Sequence, residues 1–207
     1  MKNDGSFEYS IEKYYREKII RYGANAKGVD WNDASSQKLR FEIQLKVANP
    51  YLFEGCRILD FGCGYGEFID SLRVLNLNFV YTGYDLVKLS LEQGRLRYGE
   101  LEKLNFVEIL HPDMEFDFLF ASGVFNVFFG NLNEWLYDHV KNTLKIMSSH
   151  SQYLILNFLK PNPSRHSTKL FFPSVEQIKD ILPEKCRILE VCDNYNLWEW
   201  TVLIERS

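Results

Sequence analysis

Apolar positions along the chain recur with two periods, and Gly, Pro and Asn separate one run from the next. Ser10 to Tyr22 has the helical period and stops at Gly23. A loop from Ala24 to Asp33 holds Gly28 and Trp31. A second helix is expected from Ala34 to Ala48, where Leu39, Ile43, Leu45 and Val47 are apolar and Pro50 stands just beyond. From there, short apolar runs alternate with amphipathic ones. Strands are expected at Arg57–Phe61, Phe79–Tyr84, Asn105–Leu110, Phe116–Ala121 and Tyr153–Phe158. Helices are expected at Tyr65–Leu75, Lys88–Arg97 and Leu132–Met147, and a short one capped by Ser174 runs to Leu182. Two closing strands, Arg187–Cys192 and Trp198–Glu205, flank a hairpin turn over Asp193–Asn196. Strand–helix alternation predicts a mostly parallel sheet with helices on both faces, and the hairpin predicts an antiparallel last strand.

Composition narrows the class. The chain has 207 residues, a length for one domain, with 46% hydrophobic and 25% charged residues. Aromatics are unusually frequent, at 16 Phe, 12 Tyr and 4 Trp. Lys and Arg number 24 against 28 Asp and Glu, so the net charge is −4. A protein built to neutralise phosphate backbone is normally basic, so nucleic acid is not expected as a partner. Cys56, Cys63, Cys186 and Cys192 make no CxxC pair, and the histidines lack zinc-finger spacing, so no metal site is expected. The segment MKNDGSFEYS has no apolar signal core, and no run of eighteen apolar residues exists. The expectation is a cytoplasmic protein with reduced thiols and no membrane association.

The chemistry concentrates in RILDFGCGYGEFIDSL, residues 57–72. A strand ends in Asp60, and Gly62, Cys63, Gly64, Tyr65 and Gly66 lead into a helix whose first N–H groups are free. Glycines here let a ligand approach the main chain closely. The spacing is GxGxG, not the GxGxxG that seats a pyrophosphate, and an acid at Asp60 would repel that anion while suiting an ammonium group. The next strand ends in YTGYDL, which places Asp85 where an acid can accept both hydroxyl hydrogens of a ribose. Either feature alone also has a structural reading, as a tight turn and a helix cap; together, in order, they point to a nucleoside ligand.

The run DFGCGYG followed by Asp85 resembles the first two motifs of class I S-adenosylmethionine-dependent methyltransferases. The segment GVDWNDASSQKLRFE resembles the lead-in of a bacterial branch of small methyltransferases of undefined substrate. The resemblance implies a Rossmann-like α/β fold, a seven-stranded, mostly parallel sheet whose last strand is antiparallel. Residues 55–207 would form the methyltransferase domain, and residues 1–54 a helical extension or lid of that same domain. It implies S-adenosylmethionine as cofactor, with Asp60 and Gly62 facing the methionine amino group beside Cys63 and Gly64. Asp85 would hold the ribose and Leu86 would lie against adenine. The segment FVEILHPDMEFD lacks the usual Gly-Asp pair, so the acid on the adenine amino group is Glu108 or Asp113, or neither serves.

The fourth strand runs into FASGVFNVFFG, and in this fold that end lies beside the transferable methyl group. Base-amino methyltransferases of DNA carry Asn or Asp followed by Pro-Pro and an aromatic there, and aminopropyl transferases an acid; Ser122 and its neighbours fit neither. Ser122 and Gly123 are expected to border the cofactor, while Phe128 and Phe129 pack on the sheet. Displacement at an activated methyl depends mostly on alignment and exclusion of water, so no catalytic triad is expected and no catalytic residue is assigned. Tyr15, Trp31, Arg40, Phe125, Asn126 and His166 are the candidates for contact with a small-molecule acceptor. His111 is placed near the site, whereas His139 and His150 are read as surface residues. A methyl group moved to oxygen or nitrogen of a small molecule is the leading reading. Protein or RNA methylation, or a silent partner subunit, are the alternatives.

Overall fold

The structure, a computed structural model, describes residues 6–99, 103–161 and 169–207. Helices α1 (Phe7–Tyr22) and α2 (Ala34–Ala48) precede the sheet, with a short 3-10 turn at Ala26–Val29 between them. Both are capped by side chains: Ser6 accepts from the Tyr9 amide, and Asp33 from that of Ser36. Then follow β1 (Cys56–Phe61), α3 (Phe68–Arg73), β2 (Phe79–Tyr84), α4 (Lys88–Tyr98), β3 (Leu104–Val107) and β4 (Phe116–Ala121). The second half holds α5 (Leu132–Glu134), a π-helical segment Trp135–Val140, α6 (Lys141–His150), β5 (Ser151–Leu159), α7 (Val175–Ile181), β6 (Cys186–Cys192) and β7 (Glu199–Arg206).

The strands form one seven-stranded sheet of order β3-β2-β1-β4-β5-β7-β6. Strands β1 to β5 pair in parallel, and β7 is antiparallel to both β5 and β6. The chain order therefore reverses between β1 and β4, and in open α/β sheets ligands bind outside the strand ends at such a switch point.

Two cores cover the faces. One joins Phe41, Phe68, Leu72 and Leu91 to the sheet, and the other joins Trp135, Leu144, Met147 and Ile178. Each fully buried large apolar side chain contributes about 1.5–3 kcal/mol, so the aromatic excess on β4 and β5 is core material. Phe118 stacks on Tyr153 and Phe158 on Trp200, at centroid distances of 5.3 and 4.8 Å.

Several expected boundaries shift. The helix after the glycine turn starts at Phe68, not Tyr65, because Gly64 and Gly66 both hold positive φ. Strand β3 stops at Val107, level with the end of β2 at Tyr84, instead of reaching Leu110. The stretch expected as one helix from Leu132 to Met147 is interrupted by the π-helical segment. His139 and His150 are not surface residues: each is buried, at 8% and 5% exposure. His150 ring Nδ1 lies 2.7 Å from the Met114 carbonyl oxygen, which fixes it between α6 and the loop before β4.

Candidate functional site

The cleft is built from the turn after β1 outward. Gly62 and Cys63 both donate backbone N–H to the Tyr84 carbonyl, at 2.7 and 3.0 Å, which ties the turn to the end of β2. Gly62 sits at φ 78°, and a Cβ on it would lie 2.4 Å from Val124 Cγ1, so only glycine passes there. Asp85 completes the turn: its Oδ2 accepts from Gly64 N and its Oδ1 from Val87 N, both at 2.8 Å. A carboxylate offers about four acceptor positions, and these two bonds fix the direction in which the group points.

Asp60 lies in β1 just before this turn, in a different environment. It is 5% exposed, and the Tyr81 hydroxyl donates to its Oδ2 at 2.8 Å. Burial, helped by the nearby Asp85 carboxylate, pushes its pKa up to about 7 against the smaller opposing pull of Tyr81. A carboxylate so placed lacks a compensating cation among the described residues.

Beyond β4 the chain makes a second tight turn. Gly123 sits at φ 74°, and a Cβ there would come 2.4 Å from the Trp31 ring. Trp31 thus lies directly on the Gly123 backbone, and the Arg40 guanidinium lies over the same side chain, 4.0 Å from the Trp31 ring centroid. Arg40 is held in turn by Glu199 at the start of β7: Nε is 2.8 and 2.9 Å from the two carboxylate oxygens, and Nη2 also donates to Oε1. Asn157 on β5 donates to Glu199 Oε2 at 2.6 Å and accepts from Gly123 N at 2.7 Å. The result is a closed relay from α2 through β7 and β5 to the turn after β4. Its two charged members are 8% and 1% exposed.

These parts enclose a cavity of about 880 Å³. Asp60, Gly62, Cys63, Gly64, Asp85, Leu86, Glu108, Ser122 and Gly123 all line it, and so do Tyr15, Trp31, Arg40, Phe125 and Asn126. His166 lies outside the described residues. Asp113 and His111 are exposed and do not line the cavity. Glu108 does so at its rim, 3.9 Å from Lys88 Nζ. Arg40 is not an open cation: it is already paired with Glu199, and only its Nη1 is without a hydrogen-bond partner among the described residues.

Reading the chain by motif misses other lining residues. Glu199, Phe172 and Leu197 form part of the wall, the last two without any motif to announce them. His139 also faces the cavity; burial lowers its pKa to about 4, so it is neutral at pH 7. Its ring packs 4.2 Å from Trp135 and 5.4 Å from Phe7. Helix α1 covers the cavity from that point to Val87, where Tyr15 and Ile19 pack. Among the described residues, no group of three or more His, Cys, Asp or Glu side chains could hold a metal ion.

Comparison with known proteins agrees with this geometry. Residues 59–147, from the end of β1 through the turns to α6, match the family model described as a methyltransferase domain. A Mycobacterium tuberculosis protein, Rv1506c, a methyltransferase by name, is 26% identical over 168 residues, covering 79% of this chain and 98% of its own. Among solved structures, the N-methyltransferase NodS from Bradyrhizobium japonicum, in complex with S-adenosylhomocysteine, superposes with a TM-score of 0.69 at 12% identity. That match covers 95% of this chain and 98% of the other. Magnesium protoporphyrin IX methyltransferase from Synechocystis, with the same product bound, gives 0.68 at 13% identity over 96% and 99%. These two likenesses establish the Rossmann-like fold. The glycine turn, Asp60 and Asp85 all fall within the segment that matches the methyltransferase domain, and the chain is similar to class I S-adenosylmethionine-dependent methyltransferases.

Proposed function

We propose that the protein binds S-adenosylmethionine at the turn after β1 and methylates an oxygen or nitrogen of a small-molecule acceptor. The observation that carries this reading is one cavity lined both by Asp60 and Asp85 and by the aromatic and amide side chains beyond Gly123. The cofactor fits the residues present, because a buried Asp60 with a raised pKa calls for an ammonium partner. Asp85 would accept the ribose hydroxyls, Leu86 would flank the adenine, and Glu108 would meet its amino group at the rim. Gly62, Cys63 and Gly64 would bring main chain close to the methionine end, with Ser122 and Gly123 bordering the sulfur. When bound, S-adenosylmethionine supplies a methyl carbon that an acceptor lone pair takes in line as the carbon–sulfur electron pair returns to sulfur. The protein's part is alignment and exclusion of water. Helix α1 and Trp31, as a lid of the same domain, cover the cavity for that purpose.

A small acceptor is favoured over RNA by the net charge of −4. Among the described residues no helix is long and apolar enough to cross a membrane. Incubation with methyl-labelled S-adenosylmethionine and a metabolite extract tests the reading. Label is expected in the small-molecule fraction; label retained in protein or RNA would refute the acceptor class.

Asp60 makes cofactor binding depend on pH. Its carboxylate must be ionised to hold an ammonium, so affinity is lost as pH falls through the free-state pKa of about 7. Between pH 8 and pH 6 the ionised fraction drops about tenfold, and S-adenosylhomocysteine affinity should fall about as much. Asp60→Asn should bind more weakly at pH 8 and lose that slope. A slope unchanged in the variant would remove Asp60 from this role.

A further inference from the structure

The face that α1 turns to the cavity is set by residues of the helix that do not line it. Tyr14 donates its hydroxyl to Asp30 Oδ2 and Lys18 its ammonium to Asp30 Oδ1, both at 2.6 Å. Residues four apart lie on one side of a helix, so this pair fixes its rotation. Phe7 anchors the first turn edge-on against Trp135, with ring centroids 5.5 Å apart. Glu8, Ile11 and Tyr15, at helical spacing, are then the positions that face inward and line the cavity.

Tyr15 stands at the cofactor end of that face. Its ring packs with Ile19, Tyr65 and Val87, and the Val87 amide is one of the two that hold the Asp85 carboxylate. The Tyr15 hydroxyl has no hydrogen-bond partner among the described residues. It is not one of the sealed atoms, as Ser122 Oγ and Asn126 Oδ1 are, so it opens on the cavity that Tyr15 lines. Burial above all, then Asp30, Tyr14 and Asp85, raise its pKa, so at neutral pH it is a protonated donor. A ribose hydroxyl that gives its hydrogen to Asp85 still has lone pairs to accept such a donor.

We infer that Tyr15 is a cofactor contact, donating its hydroxyl to a ribose oxygen from the α1 side while Asp85 accepts from the same ribose. This rests on the methyltransferase reading and deepens it. Tyr15, expected from the sequence to meet the acceptor, meets the nucleoside instead. Because one helix carries both the donor and the cover, closure of α1 and occupancy by the cofactor are coupled.

The test titrates the intact protein with S-adenosylhomocysteine and with its 2′-deoxy and 3′-deoxy analogues. Tyr15→Phe keeps the ring and removes the donor, and should weaken S-adenosylhomocysteine about five- to tenfold. One deoxy analogue, lacking the oxygen that Tyr15 meets, should bind variant and wild type alike, within about twofold. A variant with wild-type affinity for S-adenosylhomocysteine overturns the inference, as does an equal loss with all three ligands, which marks a role in packing alone. Should the variant not fold, trypsin cleavage of wild-type α1 at Lys13 and Arg16 decides. S-adenosylhomocysteine should slow that cleavage at least about fivefold, and one deoxy analogue at saturation should slow it less. Equal protection by all three ligands, or none, overturns the inference. Failure of folded wild-type protein to take up S-adenosylhomocysteine would instead bring down the methyltransferase reading, and this inference with it.

Discussion

Asp85→Ala should weaken S-adenosylhomocysteine binding by about a hundredfold or more in a calorimetric titration. Two losses add. The ribose would lose a charge-assisted acceptor for its hydroxyls, and such bonds contribute about 1.5–3 kcal/mol each. The turn would also lose its tether, since Gly64 N and Val87 N both donate to this carboxylate at 2.8 Å. Asp85→Asn separates the two effects. It keeps one acceptor oxygen for the backbone but exchanges the other for a donor, so its affinity should lie between those of wild type and Ala. If Asp85→Ala folds and binds with wild-type affinity, Asp85 is a helix-capping residue and nothing more.

The second large effect concerns stability. Glu199→Ala should cost about 3–5 kcal/mol, because it leaves the Arg40 guanidinium buried without its counter-charge. For a chain of this size that corresponds to a fall in Tm of about 6–20 °C, measured by thermal unfolding. Asn157 would lose its acceptor at the same time, and through it the Gly123 turn would loosen. The double variant Arg40→Met with Glu199→Leu should recover most of the loss, since replacing both members of a buried pair by apolar groups is often neutral or stabilising. A Glu199→Ala variant with unchanged Tm would show that the relay is not a structural tie.

How much of this could be read from the chain depends on whether the signal is local. The glycine turn and Asp85 are legible because their meaning lies in spacing along one strand–turn–helix unit. The cap at Ser174 is equally local: its hydroxyl accepts from Gln177 N, and Gln177 returns a bond to Ser174 N. Glu199 is not legible, because its partner Arg40 lies 159 residues away. In the sequence it is one carboxylate at the start of an apolar strand. Arg40 appears as an available cation for the same reason. His139 and His150 look like exposed polar residues at the helical period, but the π-helical segment adds a residue to the turn and changes which side chains face the sheet. The boundary of α3 moves because positive-φ glycines delay regular helix, an effect whose reach pattern alone does not give. The Tyr15 hydroxyl stands out only once its surroundings are known, since an open, unpartnered donor is a property of the fold.

The most direct test of the central claim is calorimetric titration of the intact wild-type protein with S-adenosylhomocysteine at pH 8, repeated with NAD. The geometry of Asp60, the GCGYG turn and Asp85 predicts saturable one-to-one binding of S-adenosylhomocysteine, with NAD neither binding nor displacing it. Folded protein that binds NAD, or that takes up no S-adenosylhomocysteine, would contradict the account.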